Sequence, residues 1–191
     1  MEDAGTFPTD RDNHSLERDE ELALAARSDP VAFGVLYQRH RLAVFRYLRA
    51  RTPTEEDAGE LTAITFERAL AAMPRYRSTG GGVVAWLLRI ARNAAIDAGR
   101  RSPTVAFDAG FADVARSSSP EESALDRERL ANVAAALGRL PAVQREALAL
   151  RFAAGLTARD IGEVLGKTEQ ATQKLISRAL AALREDYRHD Q

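Results

Sequence analysis

Residues 157–184 read TARDIGEVLGKTEQATQKLISRALAALR, and this stretch decides the fold. Apolar residues recur at helical spacing on both sides of Gly166, which predicts a short helix, a tight turn and a longer helix. The longer helix is apolar on one side and polar to basic on the other. This is the layout of a helix-turn-helix, a motif whose second helix can enter a groove of DNA.

The two helices of this motif carry the residues that their contact requires. We expect apolar anchors on both helices and a small residue where the backbones approach. The predicted contact residues are Ile161, Gly162, Leu165, Leu175 and Ile176. Two positions depart from a strong match, because Lys167 and Thr172 stand where an aliphatic residue is commoner. Lys167 can lay its stem on the core and keep its ammonium in water.

The start of the second helix supplies the residues that would read DNA. If that helix enters a major groove, the residues predicted to face the bases are Thr168, Glu169, Gln170, Gln173 and Lys174. Those predicted to lie near phosphates are Lys167 and Arg178. The same pattern also fits a helical hairpin that packs within a bundle and binds no DNA, so this stretch alone leaves both interpretations open.

Composition places the motif in a small helical protein. The chain has 191 residues, of which 45% are hydrophobic, and this is sufficient for two small cores. Strand patterns are missing from the sequence, so we predict an all-α fold. The absence of cysteine excludes disulfides and thiolate metal sites. With no apolar leader and no apolar run near the ~20 residues that span a bilayer, we expect a soluble, cytoplasmic protein without a membrane partner.

Charge divides the chain into segments. The net charge is −4 over residues 1–19, +4 over 20–101, −3 over 102–124 and +2 over 125–191. We therefore predict a flexible acidic tail at 1–19, a helical domain at 20–101, a flexible linker at 102–119 and a second helical domain at 120–191. Domains with so little positive charge would bind nucleic acid through a local patch, with help from a partner.

The first domain has its own candidate surface. Residues 83–101, VVAWLLRIARNAAIDAGRR, predict a strong helix with one apolar stripe and one polar to basic face. The nearby aromatics Tyr76 and Trp86 could stack on unpaired bases. An ordinary amphipathic helix with a solvated face and a core tryptophan explains the same pattern. His40 lies on the apolar face of an earlier helix, and we interpret it as a packed histidine rather than a metal ligand.

Taken together, the two blocks resemble a bacterial sigma factor of the extracytoplasmic-function (ECF) type, the small sigma-70 form with regions 2 and 4. In the first block, DPVAFGVLYQRHRLAVFRYL, DAGELTAITFERAL and WLLRIARNAAIDAGRR are similar to region 2. In the second, LGRLPAVQREALALRFAAG and the helix-turn-helix are similar to region 4. The resemblance implies two helical domains, the C-terminal one of the region 4 type (winged-helix-like).

The resemblance also implies partners and residue roles. The expected partners are core RNA polymerase, through its β′ clamp helices and β flap, promoter DNA, and a possible anti-sigma factor. Region 4 would read the −35 element through the recognition helix. Region 2 would bind polymerase through Asp57, Glu60, Leu61 and Phe66. The implied −10 residues are Arg75, Tyr76, Arg77, Trp86, Arg89, Arg92, Asn93, Asp97, Arg100 and Arg101.

Departures from the family pattern limit this transfer. Gly59, Ala63 and Ile64 replace residues that are usually polar in the polymerase-binding stretch. Gln170-Ala171-Thr172-Gln173 replaces the common G-T-V-K, so base preference cannot be copied from other members.

Two other classes of protein stay open, namely a stand-alone helix-turn-helix regulator and a helical interaction module. We expect neither an enzyme nor a cofactor, because the sequence contains no triad, metal-ligand set or phosphate loop.

Overall fold

A computed structural model describes the backbone of residues 13–101 and 124–189, and the side chains of residues 17–100 and 131–186. The described residues form α-helices with no strand among them. The first block contains α1 (Asn13–Ala25), α2 (Pro30–Arg49), α3 (Glu55–Ala72) and α4 (Gly82–Arg101), with a 3₁₀ turn at Met73–Arg75. The second contains α5 (Ala124–Arg139), α6 (Ala142–Leu148), α7 (Ala158–Leu165) and α8 (Glu169–His189). The predicted all-α fold is confirmed.

Local signals in the sequence set the starts of α2 and α3. Asp29 caps α2 by accepting a hydrogen bond from the Val31 amide at 2.8 Å, and Pro30 occupies the first turn. Thr54 caps α3 by accepting from the Asp57 amide at 3.0 Å. Three acidic residues in the first turn of α3 also favour its N-terminus electrostatically.

The helix α1 begins earlier than the sequence suggests. The flexible tail predicted over residues 1–19 is too long, because residues 13–19 belong to α1. Asp19 lies 2.6 Å from the Arg39 guanidinium and 3.2 Å from Nε2 of His40, both on α2. These contacts hold α1 against α2, although the apolar pattern of α1 is weak. Residues 1–12 and the predicted linker at 102–119 lie outside the described residues.

The second block has an irregular helix before its helix-turn-helix. The helix α6 continues into a π-helical turn at Ala149–Ala153, and Gly155 ends it with a φ of +70°. The Arg151 guanidinium donates to the Leu156 carbonyl at 2.8 Å, which supports the tight connection to α7. Leu140, Leu148 and Ala179 are buried together between α6 and α8.

The two blocks pack against each other and share one core. Buried residues of α1–α4 are continuous with Leu150, Leu156 and Ile161 of the second block. The helix α4 contacts α7, and α2 contacts the π-helical turn. The charge pattern suggests two helical units separated by a linker, whereas here the second block covers one side of the first.

Candidate nucleic-acid interface

The helix-turn-helix at α7 and α8 is built from local backbone requirements. Thr157 and Asp160 form a capping box at the start of α7, in which each side chain accepts from the backbone amide of the other. Gly166 ends α7 in the left-handed conformation with a φ of +66°, which costs glycine least. The predicted contact residue Gly162 is buried beside the turn, and its carbonyl accepts from the Lys167 amide at 2.8 Å.

The exposed face at the start of α8 collects most of the residues predicted for the −35 element. Glu169, Gln170, Gln173, Lys174 and Arg178 are all exposed. Four of them line one shallow surface hollow together with Ser177. Gln173 Nε2 donates to Glu169 Oε1 at 3.2 Å, so these two side chains hold each other across one helical turn. The geometry offers a polar and cationic surface of the kind that can read base edges.

Thr168 and Thr172 play structural roles at the start of this helix. The Thr168 hydroxyl oxygen accepts from the Ala171 amide at 3.2 Å and therefore caps α8, although its side chain remains exposed. Thr172 is fully buried, and its hydroxyl donates to the Thr168 carbonyl at 3.0 Å. The hydrogen bond is the reason a threonine can occupy this apolar position. Lys167 is exposed beside the turn.

A second polar face lies along α4. Arg89, Asn93 and Arg100 are exposed, while Trp86 and Arg92 are half-buried. All five fall on one side of the helix, opposite the buried residues Leu87, Ala91 and Ala94. Asp97 pairs with Arg68 of α3 at 2.9 Å, which neutralises one acidic group on this face. The side chain of Arg101 lies outside the described ones.

Tyr76 does not have the environment that stacking on bases requires. Its side chain is only 2% exposed, and its hydroxyl donates to both carboxylate oxygens of Glu20 at 2.9 Å. Burial, followed by the hydrogen bond to Glu20, raises the pKa of this phenol well above its ordinary value. Trp86 packs edge-on against the same ring at 5.0 Å and keeps part of its surface exposed. Of the two aromatic residues predicted to stack, Trp86 is therefore the one that offers a surface.

The end of the loop before α4 lies against the second block. Arg75 and Arg77 are exposed near its start. A Cβ placed on Gly80 would lie 2.6 Å from the Glu163 side chain and 2.7 Å from that of Arg159, and one on Gly81 would lie 2.7 Å from the Cβ of Ala85 and 3.1 Å from the Glu163 side chain. The glycines therefore let α7 approach the loop closely. Gly82, the third glycine of the run, has a φ of +66°, a backbone conformation that favours glycine.

The residues predicted to bind polymerase divide into two groups. Glu60 is exposed and Asp57 is half-buried at the start of α3. Leu61 and Phe66 are 6% and 5% exposed, so they belong to the core of the first block rather than to its surface. Phe66 makes an edge-to-face contact with Tyr37 of α2 at 4.8 Å. Their burial means that they support α3 from inside the core, and a role of these two residues in binding polymerase stays a prediction.

Sequence reasoning missed a polar cluster between the two blocks. Glu146 of α6 is 6% exposed and accepts a hydrogen bond from the Tyr47 hydroxyl. Its other oxygen forms an ion pair with Arg51 and lies 3.8 Å from Nε of Arg92. We call these four residues the Glu146 cluster. A signal existed, because Glu146 falls at helical spacing with buried Ala149 and Leu150.

The described part of the chain holds neither a metal site nor a membrane span. In residues 13–101 and 124–189 no group of three His, Asp or Glu residues is placed to hold a metal ion. None of the described helices combines the length and apolar character that a membrane span needs. His40 is 7% exposed and pairs with Asp19, in agreement with the packed role expected for it.

Two family models match the chain, one for each of its two helical blocks. Residues 36–103 match the model of Sigma-70 region 2, and residues 130–183 match that of Sigma-70, region 4. The first match contains α4 and its polar face, and the second contains the helix-turn-helix. A chain with both regions has the two parts of a sigma factor, a class of protein that acts with RNA polymerase in transcription initiation.

Curated proteins and solved structures agree with this class. The chain is 35% identical over 168 residues to the ECF RNA polymerase sigma factor BldN of Streptomyces coelicolor, covering 85% of this chain and 62% of BldN. It is 32% identical to ECF sigma factor SigD of Mycobacterium tuberculosis, covering 86% of this chain and 81% of SigD. The structure of CnrH in complex with the cytosolic domain of CnrY matches with a TM-score of 0.68 and 28% identity. The match covers 91% of this chain and 99% of the chain in that structure.

The chain therefore belongs to the sigma-70 family, within its ECF group of RNA polymerase sigma factors. Its two regions support promoter-specific transcription initiation by RNA polymerase.

Proposed function

We propose that this sigma factor reads the −35 element with the exposed face of α8 and binds the −10 element with the polar face of α4. The observation that carries the proposal is the exposed row at the start of α8, Glu169, Gln170, Gln173, Lys174 and Arg178. An exposed row at the N-terminal end of the second helix is where this motif contacts base edges. Gly162 lets α7 pack closely against the turn, and Gly166 gives the turn its left-handed conformation, so both glycines set the position of that end.

The proposed −10 surface consists of exposed cationic and amide side chains beside one half-exposed indole. Arg89, Asn93 and Arg100 would contact the sugar-phosphate backbone or the bases, and Trp86 would stack on an unpaired base. Arg75, Arg77, Arg92 and Arg101 would add positive charge around them, and Asp97 would hold Arg68 in place. Tyr76 would support Trp86 from below.

Binding of two DNA elements by two separate surfaces requires core RNA polymerase as a partner. Neither region carries much net charge, so each alone would bind DNA weakly. When both are held on one polymerase, binding of one region raises the effective concentration of the other at its DNA element. We propose that Asp57 and Glu60 contact the β′ clamp helices, that region 4 contacts the β flap, and that the protein acts in the cytoplasm without catalysing a reaction of its own. The similarity to CnrH, whose structure includes the cytosolic domain of CnrY, supports a regulatory partner such as an anti-sigma factor.

Run-off transcription tests the proposal. Purified chain and core RNA polymerase would be incubated with fragments of the source genome, and the transcript starts would be mapped. We expect discrete starts that need this chain and share sequences at −35 and −10. A matched preparation with Lys174→Ala and Arg178→Ala should lose initiation at promoters that depend on the −35 element. Failure to start transcription and to co-purify with core polymerase would refute the proposal. Specific duplex binding without polymerase would instead identify a stand-alone regulator.

A further inference from the structure

Two side chains at the start of α8 are joined to each other on its exposed face. Glu169 is the first residue of α8 and Gln173 lies one turn later, and both are exposed. Nε2 of Gln173 donates to Oε1 of Glu169 at 3.2 Å. Gln173 also lines the shallow hollow at the start of α8, so its amide lies within the surface that we assign to the −35 element.

The carboxylate of Glu169 decides how the amide of Gln173 is oriented. A carboxylate only accepts hydrogen bonds, whereas an amide donates through its nitrogen and accepts through its oxygen. The nitrogen of Gln173 is therefore the end that faces Glu169, and Oε1 of Gln173 is left for a ligand together with the second N–H. When DNA excludes water from this pair, the hydrogen bond between the two side chains becomes stronger.

The oriented amide matches adenine. In the major groove adenine presents the N7 acceptor beside the N6 amino donor, and a glutamine binds both groups in a bidentate contact. Guanine and thymine present acceptors without a donor, and cytosine presents a donor without an acceptor. Each of these three bases would leave one end of the amide unsatisfied. Gln173 stands where the common family pattern has lysine, so the chain has replaced a cation with a group that can select adenine.

The carboxylate itself matches cytosine. Glu169 keeps a second oxygen beyond the one bonded to Gln173, and a carboxylate accepts from the N4 amino group of cytosine. The acceptor edges of guanine and thymine would repel it. The polar ends of the two side chains lie 3.2 Å apart, and neighbouring base pairs are stacked about 3.4 Å apart. The two groups can therefore reach neighbouring base pairs.

We propose that Glu169 determines specificity at two neighbouring base pairs of the −35 element: it binds a cytosine directly, and it positions the Gln173 amide to select an adenine. The inference rests on the proposed function, because it requires that α8 faces the −35 element. An acidic residue that served only the N-terminus of α8 would stabilise the helix through its dipole and would change no base preference. The base preference is therefore the property that distinguishes the two roles of Glu169.

A promoter library measures this preference. The probe is a promoter mapped by run-off transcription, with its −35 element randomised, and it is transcribed by holoenzyme that contains the full chain. Sequencing of the transcripts, each linked to its promoter by a barcode, gives the preference at every position. For the parent we expect cytosine and adenine, counted on either strand, to be favoured about tenfold at two neighbouring base pairs. Glu169→Ala should reduce both preferences to about twofold or less, whereas Gln173→Ala should reduce only the adenine preference.

Glu169→Gln separates the direct contact from the positioning. The new amide oxygen can still accept from Nε2 of Gln173, so the adenine preference should persist, while the cytosine preference should be lost with the carboxylate. Glu185→Ala is the matched control, since it removes the same charge from an exposed position near the other end of α8. We expect that control to keep the profile of the parent. Circular dichroism would verify equal helix content in all variants.

The outcomes separate this inference from the proposed function. A parent whose transcription does not depend on the −35 sequence would refute the proposed function and this inference with it. A parent that depends on the −35 sequence, with the same base preferences in Glu169→Ala, would overturn this inference alone. An equal change in transcription from all −35 sequences in that variant would do the same. An adenine preference that persists in Glu169→Ala would show that Glu169 does not position Gln173.

Discussion

A Cβ atom added to Gly162 would lie 2.6 Å from the backbone carbonyl oxygen of Lys167. That oxygen belongs to the turn between α7 and α8, so it cannot move away without changing the angle at which the recognition helix leaves the turn. The Gly162 carbonyl also accepts from the Lys167 amide at 2.8 Å, which fixes the spacing from the other direction. The close approach of α7 to this turn therefore depends on a residue without a side chain.

Gly162→Ala should destabilise the second block by about 1–3 kcal/mol, because the added methyl overpacks a contact with backbone. Urea unfolding followed by circular dichroism would measure the change. Gly34→Ala is the matched control, since Gly34 is exposed on α2 and a Cβ added there would have no neighbour within 4 Å. We expect that control to gain about 0.5–1 kcal/mol from helix propensity. Equal stability changes in the two variants would contradict the packing argument.

Asp19 gives the first block a stability that depends on pH. Burial alone would raise the pKa of its carboxyl, but the contacts with His40 and Arg39 outweigh burial and lower the pKa below its ordinary value. A lowered folded-state pKa contributes stability that is present above the unfolded pKa near 4 and is lost as pH falls through the folded pKa. The free-energy difference between the parent and Asp19→Asn should therefore be constant near pH 6 and shrink below about pH 4.

Thermal unfolding of both proteins from pH 3 to pH 6 would measure this difference. Asp29→Asn offers a control, since Asp29 is exposed and asparagine can still cap α2. A gap between parent and Asp19→Asn that does not change over this range would show that Asp19 has no depressed pKa.

Tyr76→Phe separates a structural role for this ring from a role in base stacking. The variant keeps the aromatic ring but loses the hydroxyl that donates to Glu20 at 2.9 Å, and a hydrogen bond to a charged acceptor is worth about 1.5–3 kcal/mol. We expect the free energy of unfolding to fall by that amount, while promoter opening below the melting temperature is kept. A ring that acted only by stacking would lose no stability as phenylalanine.

The pH dependence of this variant supplies an internal check. Because the pKa of Tyr76 is raised in the folded state, its hydroxyl contributes fully below the unfolded pKa near 10 and contributes less as pH rises further. The difference between the parent and Tyr76→Phe should therefore narrow above about pH 10. A difference that widens there would contradict the buried, neutral phenol.

The sequence predicted most of the helix-turn-helix because its determinants are local. Gly166, the Thr157–Asp160 capping box and the spacing of the apolar residues each act within a few positions, and the structure has all three. Thr172 looked anomalous because a sequence shows no hydrogen bonds, whereas its hydroxyl bond to Thr168 explains its burial. The helix-turn-helix was therefore recognisable from the sequence, and the unusual threonine at position 172 is explained by a hydrogen bond within the same helix end.

What the sequence did not reveal depends on partners far away in the chain. Tyr76 looked available for stacking because its hydrogen-bond partner, Glu20, lies 56 positions earlier and cannot be inferred from the local pattern. In the Glu146 cluster, Tyr47 and Glu146 are likewise about 100 positions apart. Periodicity describes one helix at a time, so it cannot tell whether a polar residue meets water or another helix. For the same reason, the packing of region 4 against region 2 could not be predicted from the sequence.

The face of α8 should divide into base and phosphate contacts, which salt dependence can distinguish. Arg178→Ala removes a residue placed for phosphate, so it should weaken promoter binding on all −35 sequences and reduce the slope of log affinity against log salt by about one. Gln173→Ala removes a residue placed for bases, so it should cost about 1–3 kcal/mol on the preferred −35 sequence and little on altered ones. Both would be measured with the holoenzyme, with Ala181→Ser as a control on the same helix, beyond the residues proposed to contact DNA. A Gln173 effect that is uniform across sequences would place Gln173 at the backbone of the DNA rather than at its bases.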